Sequence, residues 1–309
     1  MSGRSAIVFG GGGFIGTNLC RRLAASGYGV RAFGRRRLFP DALSDVEWRE
    51  GDFSDAGAVA RTLEPGAIVY HLVHATLPHV VGVGGADAAL HIAPTMALLD
   101  ACKAARVVRV VFVSSGGTVY GAAREIPTPE TAPLAPVTPY AAANVAIERS
   151  LAQARDNTGL EYRVLRVTNP YGPFQTANRN QGVIAALIAR TLRGERIEIW
   201  GDGSVVRDFI YINDVVDALI KAGDDQGAER VFNIGSARGR TLREVIAAVG
   251  TALGRAPDIA WKPGRPFDVP VSVVAIDRAR KALGWEPATD FETGLRATVA
   301  WWRRDPAMR

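Results

Sequence analysis

The 309-residue sequence predicts an α/β fold, a doubly wound parallel sheet followed by a smaller α/β lobe. Three observations carry this. An apolar run at residues 5–9 breaks into the four glycines Gly10 to Gly13 and restarts with helical spacing at Phe14. Further apolar runs at 28–33, 67–72, 107–113 and 162–166 alternate with helical patterns, as parallel strands joined by crossover helices do. Beyond Asn169 the texture changes to Pro, Gly and polar residues, and then to short strands and helices.

The glycine stretch reads as strand, tight turn and helix. Bare backbone at the turn lets a pyrophosphate approach, the helix N-terminus offers unpaired N–H groups, and Gly16 lets helix and strand pack closely. A dinucleotide site is therefore expected, with Phe14 and Ile15 opening its helix. Two registers fit, Gly11-Gly13-Gly16 and Gly10-Gly13-Gly16, and the glycines alone do not choose between them. The helix at 14–26 carries Ile15, Leu19, Cys20 and Leu23 on one face and stops at Gly27.

Later helices are predicted at 56–63, 87–105 and 139–159. Pro94 should kink the second of these or break it near its N-terminus, and Pro139 opens the third with Thr138 as its cap. Residues 1–168 form the dinucleotide-binding domain. Residues 169–309 form the second lobe, with parts of 210–240 returning to the first. In that lobe, 170–181 reads as a long loop, and helices follow at 182–193, 215–222, 241–253, 277–283 and 291–304. Strands are expected at 197–199, 205–211 and 231–234, and a single core should run through both lobes.

Composition removes several classes of function. Net charge is +6, but the positives are scattered, and only Arg35-Arg36-Arg37 and Arg303-Arg304 cluster, so nucleic acid is not expected as a partner. Cys20 and Cys102 lie far apart with no metal or disulfide spacing, which fits a reducing, cytoplasmic setting. The longest apolar run, 107–113, contains Arg109 and is too short to span a bilayer, so no membrane association is expected. His71, His74 and His79 have no acid or cysteine at metal spacing; they read as strand-end or loop histidines, and no metal is expected.

In an open parallel sheet, ligands bind beyond the strand C-termini. The second strand ends in Phe33-Gly34-Arg35-Arg36-Arg37, where an acid normally holds the adenosine ribose. Guanidinium groups at this place suit a 2′-phosphate, so NADP is expected over NAD. Asp52 is placed to hold the adenine amine, and Phe53 and Leu72, which follow the third and fourth strands, should line the same site. The fifth strand ends in Ser114-Ser115-Gly116-Gly117-Thr118-Val119-Tyr120-Gly121, offering hydroxyls to a reacting oxygen. The next helix sets Tyr140 and Asn144 one turn apart on one face, the Y-x-x-x-K pattern with its last letter changed.

With these segments, Arg166-x-x-Asn169-Pro170-Tyr171-Gly172-Pro173, Trp200-Gly201-Asp202-Gly203-Ser204, Arg207-Asp208-Phe209, Phe232-Asn233-Ile234-Gly235 and Leu283-Gly284-Trp285-Glu286-Pro287, the chain resembles an extended short-chain dehydrogenase/reductase. It is similar to the NAD-dependent epimerase/dehydratase family that acts on nucleotide sugars, over nearly its whole length. The wording is most similar to members that invert a UDP-hexose at C4. The resemblance implies a Rossmann-type first domain, a nucleotide-sugar-binding second lobe and a homodimer. It makes Tyr140 the base that, as phenolate, takes the proton of the sugar 4-hydroxyl. It gives Asn169, Arg207 and Arg265 to the substrate diphosphate.

Three departures from the family pattern matter. Gly116 stands where a hydroxyl residue is usual, leaving Ser115 or Thr118 to supply it, with Thr118 slightly favoured as nearer the substrate loop. His91 and Gly34 replace an expected Asn and Asp. Asn144 replaces the lysine that holds the nicotinamide ribose and lowers the tyrosine pKa, and an amide does only the first of these. Two readings follow: a C4 epimerase or allied 4-ketoreductase, or a catalytically weak NAD(P) and nucleotide-sugar binding protein. Dehydration is disfavoured, because Gly116-Gly117 brings no carboxylate pair to the fifth strand's end.

Overall fold

The structure, a computed structural model, describes residues 4–74, 86–177, 182–264 and 269–304, without the side chains of 86–91. The first strand shows how the sequence builds the sheet. In β1 (Ser5–Phe9), Ala6 and Val8 enter one hydrophobic cluster while Ile7 and Phe9 enter another, so the strand is apolar on both faces, as a sheet covered on both sides requires.

Next come α1 (Phe14–Ala25), β2 (Gly29–Gly34), β3 (Glu47–Glu50), α2 (Ala56–Thr62) and β4 (Ile68–His71). They lead into α3 (Ala86–Ala104), β5 (Arg109–Ser115), α4 (Pro139–Thr158) and β6 (Tyr162–Val167). The rest of the chain forms β7 (Asn169–Tyr171), α5 (Val183–Arg193), β8 (Ile197–Trp200), β9 (Val206–Tyr211), α6 (Ile212–Asp224) and β10 (Val231–Ile234). It ends with β11 (Gly239–Thr241), α7 (Leu242–Leu253), β12 (Ile259–Lys262), β13 (Val271–Ser272), α8 (Asp277–Leu283) and α9 (Phe291–Arg304).

Seven strands make one sheet in the order β10-β6-β5-β4-β1-β2-β3, and each neighbouring pair runs parallel. This is the expected Rossmann-type doubly wound sheet. The order reverses between β1 and β4, which opens a crevice at their C-terminal ends. β10 comes back to this sheet beside β6, after β9 has paired with β7, β11 and β13, while β8 and β12 pair separately. One hydrophobic cluster runs from Ala6 in β1 to Trp302 in α9, so both lobes share a core.

Some local features differ from expectation. The helix α3 is continuous through Pro94, so the proline does not break it, and the buried Leu98, Leu99 and Cys102 anchor it beyond that point. Residues 169–171 are a strand and not the start of a loop, because β9 supplies a parallel partner. The short strands β11, β12 and β13 lack any sequence periodicity of their own and are defined by pairing partners far away in the chain. Among the described residues, no helix is long and apolar enough to cross a membrane.

Candidate active site

The glycine turn lies in the crevice between β1 and β4. Gly10 has φ +85, a left-handed conformation that glycine adopts without strain, and a Cβ on Gly16 would lie 2.2 Å from the Gly10 carbonyl oxygen. At Gly13, the N-cap of α1, a Cβ would meet nothing nearer than that same oxygen at 3.3 Å. Gly11 is constrained as well, since its Cβ would lie 2.6 Å from that of Ala32, so both registers keep a structural reason for their glycines. No side chain caps α1, which leaves the N–H groups of its first turn without a side-chain acceptor, the arrangement that suits an anion. Phe14, Ile15 and Leu72 are half-buried around it, and the Leu72 N–H donates to the Phe9 carbonyl.

Past β2, Arg35 and Arg36 are exposed, whereas Arg37 donates to the Leu43 carbonyl. Gly34 has a steric reason: a Cβ there would lie 3.3 Å from the ring of Trp48 in β3, which also crowds Gly12. An acid in its place would have to shift that indole. Asp52 accepts from the backbone N–H and hydroxyl of Ser54, which hold its carboxyl below the usual range, and Arg35 is 3.9 Å away. Phe53 stacks on His71 at 5.0 Å and meets Phe9 edge-on.

The helix carrying Tyr140 begins where the sequence indicates. Thr138 accepts from Ala141 N–H, Pro139 takes the first turn, and Gly159 closes the far end with φ 75. Ala141 and Ala143 are buried within the chain, so this part of the alanine-rich face serves the core. Asn144 is buried, and its Nδ2 donates to the Tyr140 backbone carbonyl at 3.0 Å. Burial pushes the Tyr140 phenol above its ordinary pKa, while hydrogen bonding from the Asn144 and Ser115 side chains pulls the other way. Ser115 closes β5 and is buried.

The Thr118 hydroxyl is buried and makes no hydrogen bond. Gly116 is sterically required, since a Cβ there would lie 2.7 Å from the Arg166 carbonyl oxygen. A serine at 116 therefore does not fit this backbone.

Behind the site lies a network that sequence reasoning did not single out. Glu148, one turn beyond Asn144, accepts from Ser114 Oγ at 2.5 Å and from Arg166 Nη2 at 2.6 Å. Arg166 also donates to Tyr120 Oη at 2.8 Å, and Tyr120 donates to Asn233 Oδ1 at 2.7 Å. These bonds lock α4, β5, β6 and β10 together beneath the tyrosine. The missed signal was charge at buried positions, since Arg166 and Glu148 belong to a fully buried strand and to the buried face of a helix. Asn18 plays a similar part, donating at 2.9 Å to the carbonyls of Phe14 and Pro173 and tying α1 to the loop after β7.

On the substrate side, Asn169 donates to the Asp208 carbonyl at 2.8 Å, and Arg207 donates to the Val269 carbonyl at 2.7 Å. Both are half-buried on paired strands, β7 and β9. Arg265 lies outside the described residues, as does His79; of His91 only the backbone is described. Among the described residues, no cluster of His, Cys, Asp or Glu is arranged to hold a metal. A glycine turn with an exposed Gly13 and tightly packed Gly10, Gly11 and Gly16, followed by a helix N-terminus that no side chain caps, fits the pyrophosphate of a dinucleotide.

The profile of the NAD dependent epimerase/dehydratase family matches residues 6–235. The chain belongs to that family. A UDP-glucose 4-epimerase of Mycolicibacterium smegmatis is 34% identical over 306 residues, covering 96% of this chain and 98% of the relative. Among solved structures, the UDP-glucose 4-epimerase of Thermotoga maritima with UDP-glucose superposes with a TM-score of 0.91 at 34% identity, covering 97% of this chain and 99% of that one. The UDP-glucose 4-epimerase of Thermus thermophilus in complex with NAD gives 0.86 at 32% identity, with the same two coverages of 97% and 99%. These relatives thus match nearly the whole chain, across both the glycine turn and the second lobe.

Proposed function

We propose that this protein is a nucleotide-sugar C4 epimerase, of the isomerase class, that takes a UDP-hexose. The observation that carries the reading is the pairing of Tyr140 with Asn144 one turn on in α4, with Asn144 Nδ2 on the Tyr140 carbonyl at 3.0 Å and the His74 ring 5.4 Å from that of Tyr140, past the C-terminal ends of the strands. Gly10, Gly13, Gly16 and the N-terminus of α1 would hold the pyrophosphate, and Asn144 the nicotinamide ribose. The nicotinamide, when bound, supplies a hydride acceptor and donor at C4 of the sugar.

The residues of the chain do the rest. Tyr140 takes the 4-hydroxyl proton and returns it, and Ser115 orients that hydroxyl and steadies the oxygen as charge develops on it. Asn169, Arg207 and Arg265 bind the diphosphate, leaving the sugar free to present either face. Arg35 and Arg36, exposed where an acid is usual, favour NADP over NAD. The same reading expects a homodimer.

Asn144 and the raised Tyr140 pKa also support a second reading, a binding protein with little turnover. Incubating the protein with UDP-glucose and NAD(P)⁺ and following the anomeric signals by NMR separates them. Appearance of UDP-galactose supports the epimerase. Binding of both ligands with no conversion of any UDP-hexose, at neutral or alkaline pH, overturns it.

A further inference from the structure

We infer that His74, just past the end of β4, is a positioning residue that orients the Asn144 amide toward the catalytic tyrosine, so that His74 and Asn144 together stand in for the family's lysine. The inference rests on the epimerase reading for its catalytic meaning and on geometry for its content. His74 Nε2 lies 3.2 Å from Asn144 Oδ1, and its ring lies 5.4 Å from that of Tyr140. Asn144 Nδ2 is committed to the Tyr140 carbonyl, which turns Oδ1 to the imidazole, and the tautomer with its proton on Nε2 donates to that oxygen. The second Nδ2 hydrogen is then available to the phenol oxygen.

Among the described residues, the ring meets Phe112 and the Val113 carbonyl from β5, Asn144 and Tyr140 from α4, and the Leu72 carbonyl from the β4 end. Of these described groups, Tyr140 is the one that titrates. Burial holds the imidazole below its ordinary pKa, so at neutral and alkaline pH it is a neutral donor and not a cation. A donor chain from imidazole to amide to phenolate strengthens each successive bond by polarisation. It leaves the tyrosine less activated than an ammonium would.

Two substitutions separate donation from bulk. His74→Phe keeps the ring packed against Phe112 and Tyr140 but donates nothing, whereas His74→Gln donates through its amide. Tyr140 ionisation is read with NADP⁺ bound, as the tyrosinate absorbance of each protein minus that of its Tyr140→Phe counterpart, so it does not depend on turnover. Turnover of UDP-glucose is measured in parallel.

The expected result for His74→Phe is a Tyr140 titration about half to one pH unit higher, the worth of one hydrogen bond. Near neutral pH, kcat should fall roughly three- to tenfold with KM unchanged, and His74→Gln should recover most of the loss. In an Asn144→Lys background, His74→Phe should have lost its effect on both readings. The inference is overturned if His74→Phe leaves the titration in place, if Phe and Gln impair equally, or if the loss persists in the Asn144→Lys background. If no variant turns over while Tyr140 still responds to His74, the epimerase reading fails and the positioning role stands.

Discussion

Asn144 donates to the backbone carbonyl of Tyr140 across 3.0 Å, so the proposed base and the residue at the family's lysine position are joined by a bond that carries no charge. An amide in this place satisfies the helix and can hold a ribose hydroxyl, but it leaves the phenol to be ionised against burial.

The pH dependence follows from the sign of that shift. Tyr140 must be a phenolate to take a proton, and its pKa is raised, so at neutral pH the phenol form dominates. Below that pKa the phenolate fraction grows about tenfold per pH unit, and kcat should climb through the alkaline range. A flat profile that is already fast at neutral pH would show that another group activates the tyrosine.

Substituting Asn144→Lys should place an ammonium one turn from the phenol. Each pKa unit by which it depresses Tyr140 corresponds to about 1.36 kcal/mol, and a drop of about two units would raise the rate near neutrality up to roughly a hundredfold. The optimum should move toward neutral in a pH–rate series. An unchanged optimum would mean that the introduced ammonium does not reach Tyr140.

Glu148 and Arg166 form a buried pair, with side chains each 6% exposed. Glu148→Ala should destabilise the fold by about 3–5 kcal/mol, because it strands the guanidinium without its counter-charge. Urea denaturation of both proteins checks this, and a loss below about 1 kcal/mol would place the pair among weak surface interactions.

Arg207→Ala should weaken UDP-sugar binding by about 1.5–3 kcal/mol, the worth of charge-assisted hydrogen bonds, and leave NADP⁺ affinity intact. Titration calorimetry with each ligand measures the two separately. Equal loss toward both would indicate that Arg207 mainly holds β9 to the Val269 carbonyl.

For the cofactor, NADP⁺ should bind more tightly than NAD⁺, and Arg35→Ala with Arg36→Ala should bring the two affinities together. Copurified NAD, or equal affinities in the unaltered protein, would remove the arginines from the site.

Much of this arrangement was legible in the sequence because local chemistry determines it. The strand-turn-helix around Gly10 to Gly16, the Thr138-Pro139 start of α4 and the Tyr140–Asn144 spacing are all short-range patterns. Others needed three dimensions. His74 reads as a loop histidine until its ring meets Asn144 and Tyr140 of α4, and that the Thr118 hydroxyl is buried without a hydrogen bond shows only in three dimensions. Gly34 and Gly116 read in sequence only as departures from the family pattern, yet a Cβ at Gly116 would lie 2.7 Å from the Arg166 carbonyl oxygen and one at Gly34 3.3 Å from the Trp48 ring. The strands β7, β11 and β13 were hidden because each is defined by pairing with β9 and not by a pattern of its own.

The measurement that bears most directly on the epimerase assignment is UDP-hexose conversion in D₂O, followed by NMR and mass spectrometry, with Tyr140→Phe alongside. The expected result is that UDP-glucose and UDP-galactose approach the same final ratio from either side. The C4 hydrogen should be retained and no deuterium acquired there, and conversion should be lost in Tyr140→Phe. Deuterium at C4, or conversion that survives the loss of the Tyr140 hydroxyl, would contradict it.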